Sequence, residues 1–134
     1  MEPTRARALI LDQHDQLRRL LAQAQVVAYR AVAGEAVLAE LEARLEGLRQ
    51  AFAEHNACEE AMLAPILQLD SAWGPARISR MREEHDAEHR AFAAALTGTT
   101  LEVAARLAEV VEEIDAHMCA EERTFLAPSV MCDD

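Results

Sequence analysis

Glycine is scarce, with four in 134 residues, and aromatic side chains make up only 4% of the chain, while Ala, Leu, Glu and Arg recur throughout. This is the composition of packed helices. Cysteine is equally thin: Cys58, Cys119 and Cys132 are too few and too scattered for a disulfide framework, and no two form a Cys-x-x-Cys pair. Cys58 and Cys119 read as small buried hydrophobes and Cys132 as a tail thiol. Basic charge is also short. Thirteen Lys and Arg against 24 Asp and Glu give a formal net charge of -11, which argues against nucleic acid and anionic membranes as partners. No stretch approaches roughly 18 uninterrupted apolar residues, so no membrane span is expected. The start Met1-Glu2-Pro3-Thr4-Arg5 lacks the basic-then-apolar order of a secretory signal. A cytoplasmic protein is the expectation, with a single domain over residues 1–134, a length sufficient for one core.

What punctuation there is falls where four long helices need it. Gly34 can end a first, Asp70-Ser71-Ala72-Trp73-Gly74-Pro75 separates a second from a third, and Thr97-Gly98-Thr99-Thr100 separates the third from a fourth. Pro75 suits a first helical position, and Thr99 with Glu102 has the form of a capping box. The helices are expected over about residues 4–32, 36–64, 75–96 and 100–127.

Apolar residues three and four apart support each segment. The second gives Leu38, Leu41, Leu45, Leu48 and Phe52, then His55 and Glu59, and again Met62 and Ile66. The third gives Ile78, Met81, His85, His89, Phe92 and Leu96; the fourth gives Val103, Leu107, Val110, Ile114, His117, Glu121 and Phe125. In the first, His14 lies between Ile10 and Leu17, with Leu21 and Ala24 beyond. Short connections between four such stripes imply an all-α, antiparallel up-down-up-down four-helix bundle. A faint repeat runs through it. His14-Asp15 with Arg19 resembles His85-Asp86 with Arg90, and the run from His55 to Glu59-Glu60 resembles that from His117 to Glu121-Glu122.

Residues four apart share a helix face, so His55/Glu59, His85/His89 and His117/Glu121 each project two donors toward one point. Any one of these histidines alone reads more readily as a core residue bonded to a backbone carbonyl. That reading would have to hold five times, for every histidine in the chain. Clustered imidazoles and carboxylates in a core cost several kcal/mol unless compensated, and one or two metal cations would compensate them. The donor types favour iron, zinc or manganese. With His14 the set is seven, too many for one ion. Two ions of roughly six donors each need about twelve, and five imidazoles, two bridging carboxylates and a shared oxo or hydroxo oxygen supply about eleven. One position stays open for a small ligand. The Glu-x-x-His spacing of ferritin-like bundles is absent: Leu11, Phe52, Arg82, Asp86 and Ile114 precede the histidines by three.

This set resembles the hemerythrin family, in particular the bacterial hemerythrin-like domains of the HHE type. A histidine on the first helix, His-x-x-x-Glu on the second, His-x-x-x-His on the third and His-x-x-x-Glu on the fourth are matched by His14, His55 with Glu59, His85 with His89, and His117 with Glu121. The resemblance covers nearly the whole chain. It implies two non-haem iron ions joined by an oxo or hydroxo bridge, with Glu59 and Glu121 as bridging carboxylates. One iron would carry His85, His89 and His117; the other would carry His14 and His55 and keep the open position. In the oxygen-carrying relatives the last carboxylate is an aspartate five residues after its histidine, which would fall on Glu122. Glu121 has the bacterial spacing and lies on the stripe. The related iron-sulfur repair proteins lack the second histidine of the third helix, which this chain keeps as His89.

The function implied is O2 binding as a carrier, store or sensor. An enzyme acting on peroxide, NO or O2 is the alternative, with iron homeostasis a third. Ile10, Leu17, Phe52 and Met62 are expected to keep the open position dry; against this, Arg18 one turn after His14 and Met118 beside His117 could bring a charged or oxidisable group to it.

Overall fold

The computed structural model describes residues 1–69 and 73–133. Its four helices are α1 Pro3–Val32, α2 Leu38–Leu67, α3 Gly74–Ala95 and α4 Thr100–Arg123. The described residues hold no strand. Each end has a local cause. Pro3 opens α1 at a position whose N–H has no helical partner anyway. Gly34 at φ +93° turns the chain out of α1, and Gly98 at φ +112° does so after α3, in a region open to glycine at little cost. At the start of α4 the Thr99 hydroxyl oxygen accepts from the Glu102 N–H at 3.2 Å. The Glu102 carboxylate takes the Thr99 hydroxyl proton at 3.1 Å, so one arm of the expected capping box forms.

Several expected limits shift. α2 starts at Leu38 and continues past residue 64, through Pro65, to Leu67. α4 stops at Arg123, where the Leu126 N–H reaches back to the Glu121 carbonyl at 2.9 Å and turns follow. Pro75 is the second helical residue of α3, not the first. Of the expected break before α3, Asp70, Ser71 and Ala72 lie outside the described residues. Gly74 is required by packing: a Cβ there would overlap the Leu67 carbonyl oxygen, so α3 begins directly against the end of α2.

α1 and α3 each pack against α2 and α4. Gln13 meets Cys58 and Gln23 meets Arg44 across α1 and α2, and Arg18 meets Asp115 and His14 meets Glu121 across α1 and α4, so in both pairs residue numbers rise along one helix as they fall along the other. Two apolar clusters fill the core. One runs from Leu17, Phe52, Phe92 and Met118 toward the α1–α2 turn; the other joins Ile10, Leu63 and Met81 to Phe125, Leu126 and Met131 of the C-terminal segment. On every helix the histidines fall between the members of these clusters. The stripes hold through the helix middles, but Leu38 is 44% exposed while its neighbour Val37 turns inward, and beyond Glu59 the buried positions are Leu63 and Leu67, with the expected Met62 and Ile66 half-buried, as is Ile78 on α3. No helix among the described residues is long and apolar enough to cross a membrane.

Candidate metal centre

Six of the seven expected residues converge. His14, His55, Glu59 and Glu121 form one group of potential ligands and His85, His117 and Glu121 a second; within each group one donor atom per residue lies within 4.8 Å of the rest. The carboxylates span both. Glu59 Oε2 lies 2.8 Å from His55 Nε2 and 3.4 Å from His14 Nε2, while its Oε1 is 3.4 Å from His85 Nε2. Glu121 Oε1 is 3.0 Å from His117 Nε2 and 3.8 Å from His14 Nε2, and its Oε2 is 3.3 Å from His85 Nε2. Every one of these imidazoles therefore turns Nε2 inward. Glu121 is buried in the cluster; Glu122 instead pairs with Arg18 at 2.6 Å and comes no nearer than 3.7 Å to His14 Nδ1.

Two of the outward nitrogens have partners of their own. The Nδ1–H of His55 donates to Gln13 Oε1 at 2.8 Å, and that of His85 to Glu60 Oε1 at 3.0 Å. Such contacts fix ring orientation and leave Nε2 as the donor. The repeat is now visible as geometry, since Glu60 of α2 serves His85 of α3 while Glu122 of α4 lies beside His14 of α1.

The charge pattern is that of a site holding protons where a cation would fit. Burial pushes the Glu59 carboxyl up, but the imidazoles of His14, His55 and His85 outweigh it and hold the group far below the usual carboxylate range. Burial pushes His85 down, yet Glu121 and Glu59 prevail and it is pushed up to about 11. His117 is likewise pushed up to about 9, against burial, by Glu121 and Glu88. Both nitrogens of His14, Nε2 of His55 and of His117, and both Glu59 oxygens are enclosed without a hydrogen-bond partner. An unsatisfied buried polar atom costs about 1–3 kcal/mol. Metal cations would satisfy this set, and the donors present fit them.

His89 stands outside both groups. Its Nε2 meets Asn56 Nδ2 at 2.9 Å and its ring lies 5.5 Å from that of Phe52. Three polar residues at the centre were missed in the sequence: Gln13, Asn56 and Glu88. The last places Oε2 2.7 Å from His117 Nε2, and burial pushes its carboxyl above the usual range. Cys58 and Cys119 are half-buried rather than core hydrophobes, because each faces a polar neighbour: Gln13 Nε2 donates to Cys58 at 3.4 Å, and Arg18 to Cys119 at 3.8 Å. Cys132 is exposed, as expected. Arg18 is engaged by Asp115 and Glu122 along the α4 flank. Beside His55, a groove of about 320 Å³ is lined by Gln13, Gln16, Leu17, Leu20, Glu54 and Cys58 among others. It is more polar than the dry pocket expected there.

Fold and site together define a helical bundle whose core gives up part of its apolar packing to a cluster able to hold metal cations. Over residues 5–127 the chain matches the family model described as the hemerythrin HHE cation binding domain, a span containing every residue of the cluster. The chain belongs to that family. No curated protein and no solved structure matches it.

Proposed function

We propose that this chain is a non-haem di-iron protein, folded as an antiparallel up-down-up-down bundle, that binds O2 as a carrier, store or sensor. The observation that supports the reading is the shared carboxylate: Glu121 belongs to both groups of potential ligands, so one side chain could serve two ions. His14 and His55 would hold one ion, His85 and His117 the other, with Glu59 and Glu121 between them. Bound irons would supply the two electrons needed to reduce O2 reversibly to the peroxide level. The chain's own part is to hold the ligands and limit water. Gln13 and Glu60 fix two rings, while Ile10 and Leu17, one turn from His14, and Phe52, one turn from His55, are buried in the core.

A second reading, an enzyme consuming peroxide or NO, is favoured by the groove beside His55. Gln13, Gln16 and Glu54 there can admit water and polar substrates. One experiment separates the two. Protein from iron-replete cells is analysed for metal, reduced without air, and cycled through O2 and degassing under an absorption spectrometer. About two irons per chain and bands returning with each cycle are expected. Prompt one-way oxidation with sustained peroxide consumption would favour the enzyme, and a single zinc without charge-transfer bands would sink both readings.

A further inference from the structure

Unlike His55 and His85, His14 has no support on its outer side: its Nδ1 is enclosed without a hydrogen-bond partner. A carboxylate stands beside it, but Glu122 Oε2 lies 3.7 Å away, beyond hydrogen-bond reach. Arg18, one turn after His14 on α1, accounts for the gap. Its Nη2 donates to Glu122 Oε1 at 2.6 Å and to Oε2 at 3.2 Å. The same guanidinium is tied down by Asp115, which accepts from Nε at 2.8 Å, and by Asp15, which accepts from Nη1 at 3.4 Å. Its rigid planar fork bonds several carboxylates at once, and Glu122 is drawn to it. The other half of the repeat lacks this clamp. Setting His14 against His85 puts Glu122 against Glu60 and Arg18 against His89. With no arginine at the matching place, the Glu60 carboxylate comes to 3.0 Å from His85 Nδ1.

We propose that Arg18 is a positioning residue that weakens His14 as a metal ligand by holding Glu122 off its Nδ1. The proposal rests on reading the cluster as a metal centre, as above. A ligating imidazole whose outer N–H is taken by a carboxylate is the more basic donor. Arg18 withholds that partner from His14, whereas Glu60 supplies it to His85, so the two rings are unequal donors although both turn Nε2 to the same carboxylates. A less basic donor favours the lower charge state of a redox metal, because hydrogen bonds behind the ligands are among the levers on its potential. The clamp is thus a means of setting the properties of the His14 side from a residue that touches no metal.

The test removes the clamp and its target separately and together. Stripped wild type, Arg18→Leu, Glu122→Gln and the double variant are titrated with Zn(II) against a competing chelator, and circular dichroism of the stripped proteins reports their fold. Arg18→Leu is expected to bind Zn(II) more tightly by about tenfold, the lower range for an outer partner of a ligand. A merely structural role would lower affinity instead. In the Glu122→Gln background the same substitution should bring no gain, because the carboxylate that would reach His14 is gone, whereas an effect of the arginine's charge alone would add independently and survive there. Nuclear magnetic resonance of the Zn(II)-loaded proteins should show the His14 Nδ1 proton moved downfield in Arg18→Leu, as a new hydrogen bond requires. Equal or weaker binding by Arg18→Leu, or a gain that persists in the double variant, would overturn the assignment. If Arg18→Leu does not fold, Arg18→Gln takes its place with the same outcomes. Wild-type protein taking up fewer than two ions would overturn the two-ion reading and leave this comparison standing, since it needs only the ion held by His14.

Discussion

Glu60 touches no Nε2 of the cluster, yet it decides which nitrogen His85 presents, because it accepts the Nδ1 proton at 3.0 Å. Removing it by Glu60→Ala should leave the ring free to rotate and lower metal affinity by roughly 10–100-fold, read by calorimetric titration of stripped protein with Zn(II). Unchanged affinity would mean that packing alone orients the ring. At this scale the inward histidines were legible, since each sat on an apolar stripe with no other role to play. Glu121 was also separable from Glu122 by its place on the stripe. The residues that choose orientation were not. Gln13, Asn56 and Glu88 act across helix interfaces, and their contacts depend on how each helix is turned about its axis. Glu88 had a signal, His-x-x-Glu, but in a chain with 24 acidic residues that spacing also describes an ordinary solvated acid.

Helix interiors followed from periodicity, and helix ends did not, because ends are settled by what the neighbouring element needs. α2 shows the balance. Pro65 inside it costs about 3 kcal/mol by local rules, which predicts a stop. Leu63 and Leu67 on either side are 0% and 1% exposed, and burying two leucines returns roughly 3–6 kcal/mol. Burial wins, and the helix continues to the point where α3 can start against it at Gly74. The end of α4 is the converse case. Its apolar periodicity continues to Phe125, but Phe125 and Leu126 reach the second core cluster from a turn, so the helical pattern outlasts the helix.

Across the whole molecule the six-residue cluster couples folding to protons and to metal in opposite senses. In metal-free protein, His85 and His117 rise from 6.5 to about 11 and about 9. A raised group stabilises the fold fully below its unfolded value and loses that contribution as pH climbs through the folded one. The lowered Glu59 works the other way, contributing above its usual 4.5 and failing only on acidification. Metal-free protein should therefore lose stability as pH rises from about 6.5 toward about 11. Metal-loaded protein should not, because the ions bind neutral imidazoles and compete with protons, so affinity grows over the same range. Melting temperatures of the two forms across this window check the point: they should diverge with rising pH, and parallel curves would contradict it.

The two apolar clusters bracket the ligand layer along the bundle axis, and this has a bearing on time as well as on stability. A cation seated between them has no wet route along the axis, so it leaves when helices part locally, not when a ligand bond happens to break. Stripping by a chelator should accordingly level off as chelator concentration increases, at a ceiling set by the bundle's own opening. A rate that kept climbing in proportion to chelator would mean direct attack through the groove beside His55. With the ceiling, how long the protein keeps its metal is a property of helix breathing, and a substitution far from any ligand could shorten that residence without touching equilibrium affinity.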